Sequence, residues 1–204
     1  MPQPLQLAVL ALVWALWCLS HSLWPRPALR GRLRRALGLA SAQYRLAYSA
    51  FSLVTIAPAA WLSWRLGDGT SLFHPWPWLG LQLMAWLLAG VLFFWAERSF
   101  SSGGLDLLGL SDSLRGIDRP PVLVTRGAYA HTRHPMNWAT LLLIWTRPLS
   151  PAAWVVNLVL TVYLVAATFH EEARLAGQFG DEWRAYARAV PRFFWRLSYG
   201  GGPG

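Results

Sequence analysis

The feature that most constrains this chain is a succession of apolar stretches, each about as long as a bilayer is thick. A hydrocarbon core of about 30 Å needs roughly 20 apolar residues as helix. Residues 5–24, 44–64 and 76–95 all reach that length. Pro58 lies inside the second stretch and predicts a kink whose freed backbone groups neighbouring helices can satisfy. Trp residues at both ends of the third suit the interfacial belt. The fourth region differs. Residues 136–146 are apolar but few, the breaker Arg147-Pro148-Leu149-Ser150-Pro151 follows, and residues 152–169 form another apolar run. Ser150 suits an N-cap with Pro151 at the first helical position. This reads as a helical hairpin with a short or tilted first arm. The expected fold is therefore all-α and polytopic, with about five membrane helices.

Composition agrees. The chain is 55% apolar and only 13% charged, against about 25% charged in a soluble domain. Much of its surface is not built for water. The net charge is +9, and all 18 basic residues are Arg. Such a balance can serve nucleic acid, anionic lipid or membrane topology. Here the Arg residues sit between apolar runs and no separate polar domain exists, so topology is the reading and nucleic acid is not expected. Cys18 is the single cysteine, which excludes an intrachain disulfide or a Cys-based metal cluster; no metal site is expected. The first six residues lack the basic region of a signal peptide, so the first run is expected to stay as a span.

Orientation follows from Arg in the short loops. Arg26, Arg30, Arg32, Arg34 and Arg35 follow the first run; Arg98, Arg115, Arg119, Arg126 and Arg133 follow the third; Arg174, Arg184, Arg188, Arg192 and Arg196 lie in the tail. The other two connections carry only Arg65 and Arg147. The N-terminus is thus expected outside and the C-terminus in the cytoplasm. Residues 97–119 read as amphipathic or irregular, 171–189 as a cytoplasmic helix ended by Pro191. One membrane domain is expected, with an N-terminal three-helix part (1–119), a hairpin region (120–191) and a flexible tail (192–204).

Two polar clusters flank the hairpin on its Arg-rich side. Arg133 and His134 precede Pro135, which can occupy the first helical turn and so set them at a helix N-terminus favourable to anions. Glu171 and Glu172 follow the last run. A hairpin brings these clusters together. Arg133 and His134 would then hold a carboxylate and Glu171 or Glu172 a ribose or amine, the address of a zwitterionic ligand. Singly, each has a plainer role: Arg133 as a topology signal, the Glu pair as a solvated helix start, His134 as an interfacial residue. Their convergence at one hairpin favours a site.

At these residues the sequence resembles a family. Gly127-Ala-Tyr129-Ala-His-Thr-Arg133-His134-Pro135, with Glu171-Glu-Ala-Arg-Leu-Ala-Gly-Gln-Phe-Gly-Asp-Glu-Trp-Arg-Ala-Tyr-Ala-Arg-Ala-Val-Pro191, resembles the isoprenylcysteine carboxyl methyltransferases and phospholipid methyltransferases. His21-Ser-Leu, Tyr44-Arg-Leu and Leu107-Leu-Gly-Leu110 are similar to the bacterial branch that includes methanethiol S-methyltransferase, and to the NnrU membrane proteins. The resemblance implies a bacterial inner-membrane enzyme using S-adenosylmethionine. Pro121, Val122, Leu123 and Val124 (strand-like), Tyr129, His134 and Pro135 would line the cofactor pocket, with Glu171 as the binding acid. Two positions depart from the pattern. Asn137 stands where Tyr is usual, and an Arg usual before the acidic pair is absent from Ala166-Ala-Thr-Phe-His170. That makes Asn137 and His170 the candidates for acceptor-side catalysis, and disfavours a prenylcysteine acceptor relative to a small thiol or a lipid. Methyl transfer from a sulfonium needs chiefly orientation and a dry site, with cation–π help from Tyr129, Trp138 or Trp183. An apolar acceptor would arrive from the surrounding lipid. The competing readings are an NnrU-type heme protein, with His21 and His134 or His131 as axial ligands, and a family member without activity.

Overall fold

A computed structural model describes residues 2–67, 75–100 and 122–196 of the chain. Among them every regular element is helical: α1 (Pro4–Leu23), α2 (Pro27–Leu37), α3 (Ser41–Leu66), α4 (Pro75–Phe100), a short 3₁₀ helix (Gly127–Ala130), α5 (Pro135–Trp145) and α6 (Pro151–Ala189). Among the described residues, α1, α3, α4 and α6 are long and apolar enough to cross a membrane. α5 has 11 residues, about 16 Å of helix, so the short first arm of the hairpin is real. The protein is an all-α polytopic membrane protein. Pro121, and the expected amphipathic segment beyond residue 100, lie outside the described residues. Up to Phe100 that segment continues α4.

Long side chains such as Leu12, Leu53, Trp64, Met84, Leu87 and Val162 are exposed along the spans. Facing lipid tails rather than water, they need no protein partner. Where helices do touch, small residues let them approach. Ala59 of α3 and Ala152 of α6 pack around Leu10 and Trp14 of α1. Ala89 of α4 meets Ala139 of α5. Trp14 Nε1 donates to Ser63 Oγ at 2.8 Å, which satisfies an indole that would otherwise be orphaned in lipid. α3 runs through Pro58 as one continuous helix.

The arms of the hairpin have different neighbours. α5 leans on α4, α6 leans on α1, and between themselves the arms touch little. They are pinned at the turn. Ser150 caps α6 by accepting from Ala153 N at 3.2 Å, with Pro151 at the first helical position as the sequence predicts. Asn157 is fully buried; its Nδ2 donates to Ile144 O at 2.7 Å and its Oδ1 accepts from Arg147 at 2.8 Å. Trp145 Nε1 donates to Thr161 Oγ1 at 3.0 Å. Ser150 and Asn157 thereby supply partners for backbone groups at the helix ends that have no water to turn to.

α6 is not one straight rod. Gly180 adopts φ 54°, ψ −120° and breaks it, a conformation that suits glycine. The piece after the break folds Trp183 and Tyr186 against Leu175, Phe179 and Leu123. The single helix expected over 171–189 is therefore two.

Candidate active site

The site begins with the chain climbing back to the hairpin. Residues 122–125 are irregular rather than a strand, and Val122 is exposed. Gly127 turns the chain at φ 62°. Ser99 at the end of α4 receives it there: Ala128 N donates to Ser99 Oγ at 3.3 Å. A Cβ on Gly127 would run into Ser99 Oγ. Gly127→Ala is therefore expected to destabilise by roughly 1–3 kcal/mol, read as an earlier unfolding midpoint in mixed micelles. Beyond the turn, Thr132 is fully buried and donates to Arg192 O, while Arg196 N donates to His131 O at 2.9 Å. His131 stacks on Trp195 with an interplanar angle of 6°.

Arg133 and Glu172, expected to hold opposite ends of a zwitterionic ligand, hold each other instead. Arg133 Nε donates to Glu172 Oε1 at 2.8 Å and Nη2 to Oε2 at 3.2 Å. Its Nη1 donates to Val190 O at 2.8 Å and to Ala187 O, capping the carbonyl end of α6 with a cation, as the helix dipole favours. Its face lies over Trp183. Arg192 comes from the other side: Nε and Nη2 donate to Glu172 Oε2 at 2.9 and 2.6 Å, and the guanidinium sits 4.3 Å from the Phe169 ring centroid. His134 Nε2 completes the set at 3.0 Å from Glu172 Oε1. Burial alone would raise the Glu172 carboxyl, but hydrogen bonds from Arg192, His134 and Arg133 outweigh it and hold it at about 2. The same contact raises Arg192.

The juxtaposition expected from a hairpin is thus present, as a clasp. With the arms pinned at the turn and clasped at the Arg-rich end, the poorly contacting middle leaves a cavity of about 190 Å³. Trp138 and Leu141 of α5, Leu164 and Val165 of α6, and Phe193 line it, with His134, Asn137 and Thr161 as its polar members. Asn137 Nδ2 donates to the buried Thr168 Oγ1 at 2.7 Å.

The remaining candidates fall around this cavity unevenly. Pro135 is buried in the first turn of α5. Glu171 is half-exposed, and among the described residues its nearest basic side chains, His134 and Arg174, are 3.9 Å away. It lies close enough to Tyr129 to add to the effect of burial in raising that phenol. Tyr129 O accepts from Tyr186 OH at 2.7 Å. His170 is exposed and does not line the cavity. Arg192 and Phe193 were missed because residue 192 was expected to begin a flexible tail. The signal available was their position directly after the Val190-Pro191 that ends the second motif. His21 sits on other elements, α1 against α3, with Tyr48 OH 2.7 Å from Nε2 and Ser52 Oγ 3.0 Å from Nδ1. It is stacked on Trp17, apart from His131 and His134.

Comparison with known proteins gives this geometry its setting. The chain is 30% identical over 201 residues to methanethiol S-methyltransferase 2 of Bradyrhizobium diazoefficiens, covering 91% of this chain and 72% of that protein. The chain belongs to the methanethiol S-methyltransferase family. Methanethiol S-methyltransferase of Pseudomonas deceptionensis is 29% identical over 199 residues, covering 92% of this chain and 72% of its own length. No protein-family model and no solved structure matches. The alignments span nearly the whole chain, so family membership rests on more than the hairpin motifs.

Proposed function

We propose that this chain is an S-adenosylmethionine-dependent methyltransferase whose acceptor is a small thiol bound between the arms of the hairpin. The observation that carries this reading is the cavity. At about 190 Å³ it falls short of the 300–1,000 Å³ common for drug-sized ligands, and its walls are predominantly apolar. A short alkyl thiol suits it; a prenyl chain does not. The relatives, named for methanethiol, point the same way.

The residues at the rim fit the cofactor. Among the described residues no side chain hydrogen-bonds Glu171, so both of its oxygens can serve ribose hydroxyls or an ammonium group. Tyr129 stands nearby, and His134 with Pro135 forms the edge between rim and cavity. Arg133 and Glu172 hold this edge in shape rather than meeting the ligand. Bound there, the cofactor supplies an electrophilic methyl group on a positively charged sulfur. Trp138 and Phe193 offer aromatic faces to positive charge, worth about 1 kcal/mol each. The apolar walls exclude water, which strengthens every charge interaction in the site. Asn137, tied to Thr168, orients the acceptor from the α5 side. The Arg-rich ends would face the cytoplasm of a bacterial inner membrane, with the N-terminus outside. The cofactor would enter there and the thiol through the lipid.

The test is purified protein in detergent with methyl-labelled cofactor and a series of alkanethiols. Labelled thioether is expected, with kcat/KM falling as the alkyl chain outgrows the cavity. No labelled product with any thiol would overturn the reading. Glu171→Ala is expected to weaken binding of the demethylated cofactor roughly 10- to 100-fold, the scale of a hydrogen bond to a charged group. Calorimetry showing unchanged affinity would move the binding acid elsewhere.

A further inference from the structure

We propose that His134 is the general base that takes the thiol proton, with Glu172 fixing its tautomer. This rests on the thiol-methylation reading above and adds what that reading leaves open, where the proton goes. An alkanethiol is mostly protonated at neutral pH, and it is the thiolate that attacks well.

Among the described residues of the cavity wall His134 is the titratable side chain, and only 7% of it is exposed. Its Nε2 lies 3.0 Å from Glu172 Oε1. An ionised carboxylate can only accept, so the proton of a neutral ring is on Nε2. That leaves Nδ1 as a lone-pair acceptor. Among the described residues the nearest acidic oxygen to Nδ1, Glu171 Oε2, is 3.9 Å away, too far for a hydrogen bond. Among the described residues the surrounding charged groups are Glu172 and Glu171 of α6, Arg133 beside the ring, Arg192 across Glu172, and Arg174 beyond Glu171. Arg133 and Arg192 hold Glu172 in place, and Glu172 holds the ring. This is the division of labour of a carboxylate–histidine pair, in which the acid orients the imidazole and stabilises the imidazolium.

In the step, the S–H proton passes to Nδ1 as the acceptor sulfur forms its bond to the methyl carbon. The donor's own sulfur–methyl bond breaks, and its electron pair stays on the donor sulfur. The imidazolium, flanked by Glu172, then releases its proton past Glu171 at the rim.

The experiment compares ethanethiol with 2,2,2-trifluoroethanethiol, a near-isostere far more acidic and therefore largely ionised under assay conditions. His134→Gln is expected to lower kcat for ethanethiol about 100-fold or more, the usual share of a general base. KM should change little, and the loss with the fluorinated thiol should be below tenfold. An equal loss with both thiols overturns the base assignment and leaves the methyl-transfer reading standing. A wild-type protein that methylates neither thiol overturns both. Two measurements on the wild type do not depend on the variant folding. Its kcat/KM for ethanethiol should level off well below the pH at which the thiol ionises; a tenfold climb per pH unit up to that point would make free thiolate the nucleophile and overturn the proposal. Histidine-selective ¹⁵N NMR of the cofactor-free protein should show a ring protonated at Nε2 and bare at Nδ1. The opposite tautomer would also overturn it.

Discussion

Glu172→Ala is expected to destabilise the protein by roughly 3–5 kcal/mol, because it leaves two guanidinium groups against a carboxylate that is no longer there. The Arg133 side chain is only 8% exposed, and its other partners are neutral, two carbonyls and the Trp183 ring. Arg192 would lose its anchor to α6, and with it the placement of Phe193 over the cavity. Glu172→Gln keeps the shape and removes the charge, so it should show nearly the same loss; a Gln variant as stable as wild type would mean the clasp is held by shape alone. The pH dependence has a defined sign. Folding lowers the Glu172 carboxyl from 4.5 to about 2, so its contribution is complete above the unfolded value and disappears as pH falls from 4.5 towards 2. Denaturant midpoints in mixed micelles, measured from pH 7 down to pH 3, should decline below 4.5 in the wild type and hardly at all in the Gln variant.

Leu141→Trp is expected to cut kcat/KM for small thiols about 100-fold or more while leaving affinity for the demethylated cofactor unchanged. Leu141 lines the cavity from α5, and a Trp there takes up the space in which the acceptor must be held close to the methyl group; proximity of that kind is worth several orders of magnitude in rate. Leu141→Ala should act in the opposite sense and admit longer thiols. If the Trp variant turns over normally, the acceptor binds elsewhere and the cavity loses its role.

Much of the fold was legible because bilayer thickness sets one length scale and the apolar runs obey it. Ser150 and Pro151 announced the start of α6 by their chemistry, and the hairpin followed from the breaker before them. The meeting of Arg133, His134 and the acidic pair was legible for the same reason. Which partner each residue would choose was not. Arg133 turns to Glu172 and to the carbonyl end of α6 because Gly180 breaks the helix and brings Ala187 and Val190 back within reach, and a glycine in sequence does not say which way a chain will turn. Arg192 was hidden because residues 192–204, which end in a glycine-rich run, read as one flexible tail. Asn157 reads in sequence as one polar residue in an apolar run. Its purpose appears only when Ile144 O and Arg147 are seen across from it.

The unequal arms of the hairpin carry a consequence for the surroundings the protein requires. α5 is about half as tall as the hydrocarbon layer, and residues 146–150, bent at Thr146 and Arg147, join it to the taller α6 with Asn157 as their tether. The step in height between the two arms is built into the fold. Lipids with longer tails would draw on it from one side, and lipids with shorter tails would crowd it. Acyl-chain length thereby becomes a variable that reaches the cavity wall without touching any residue in it.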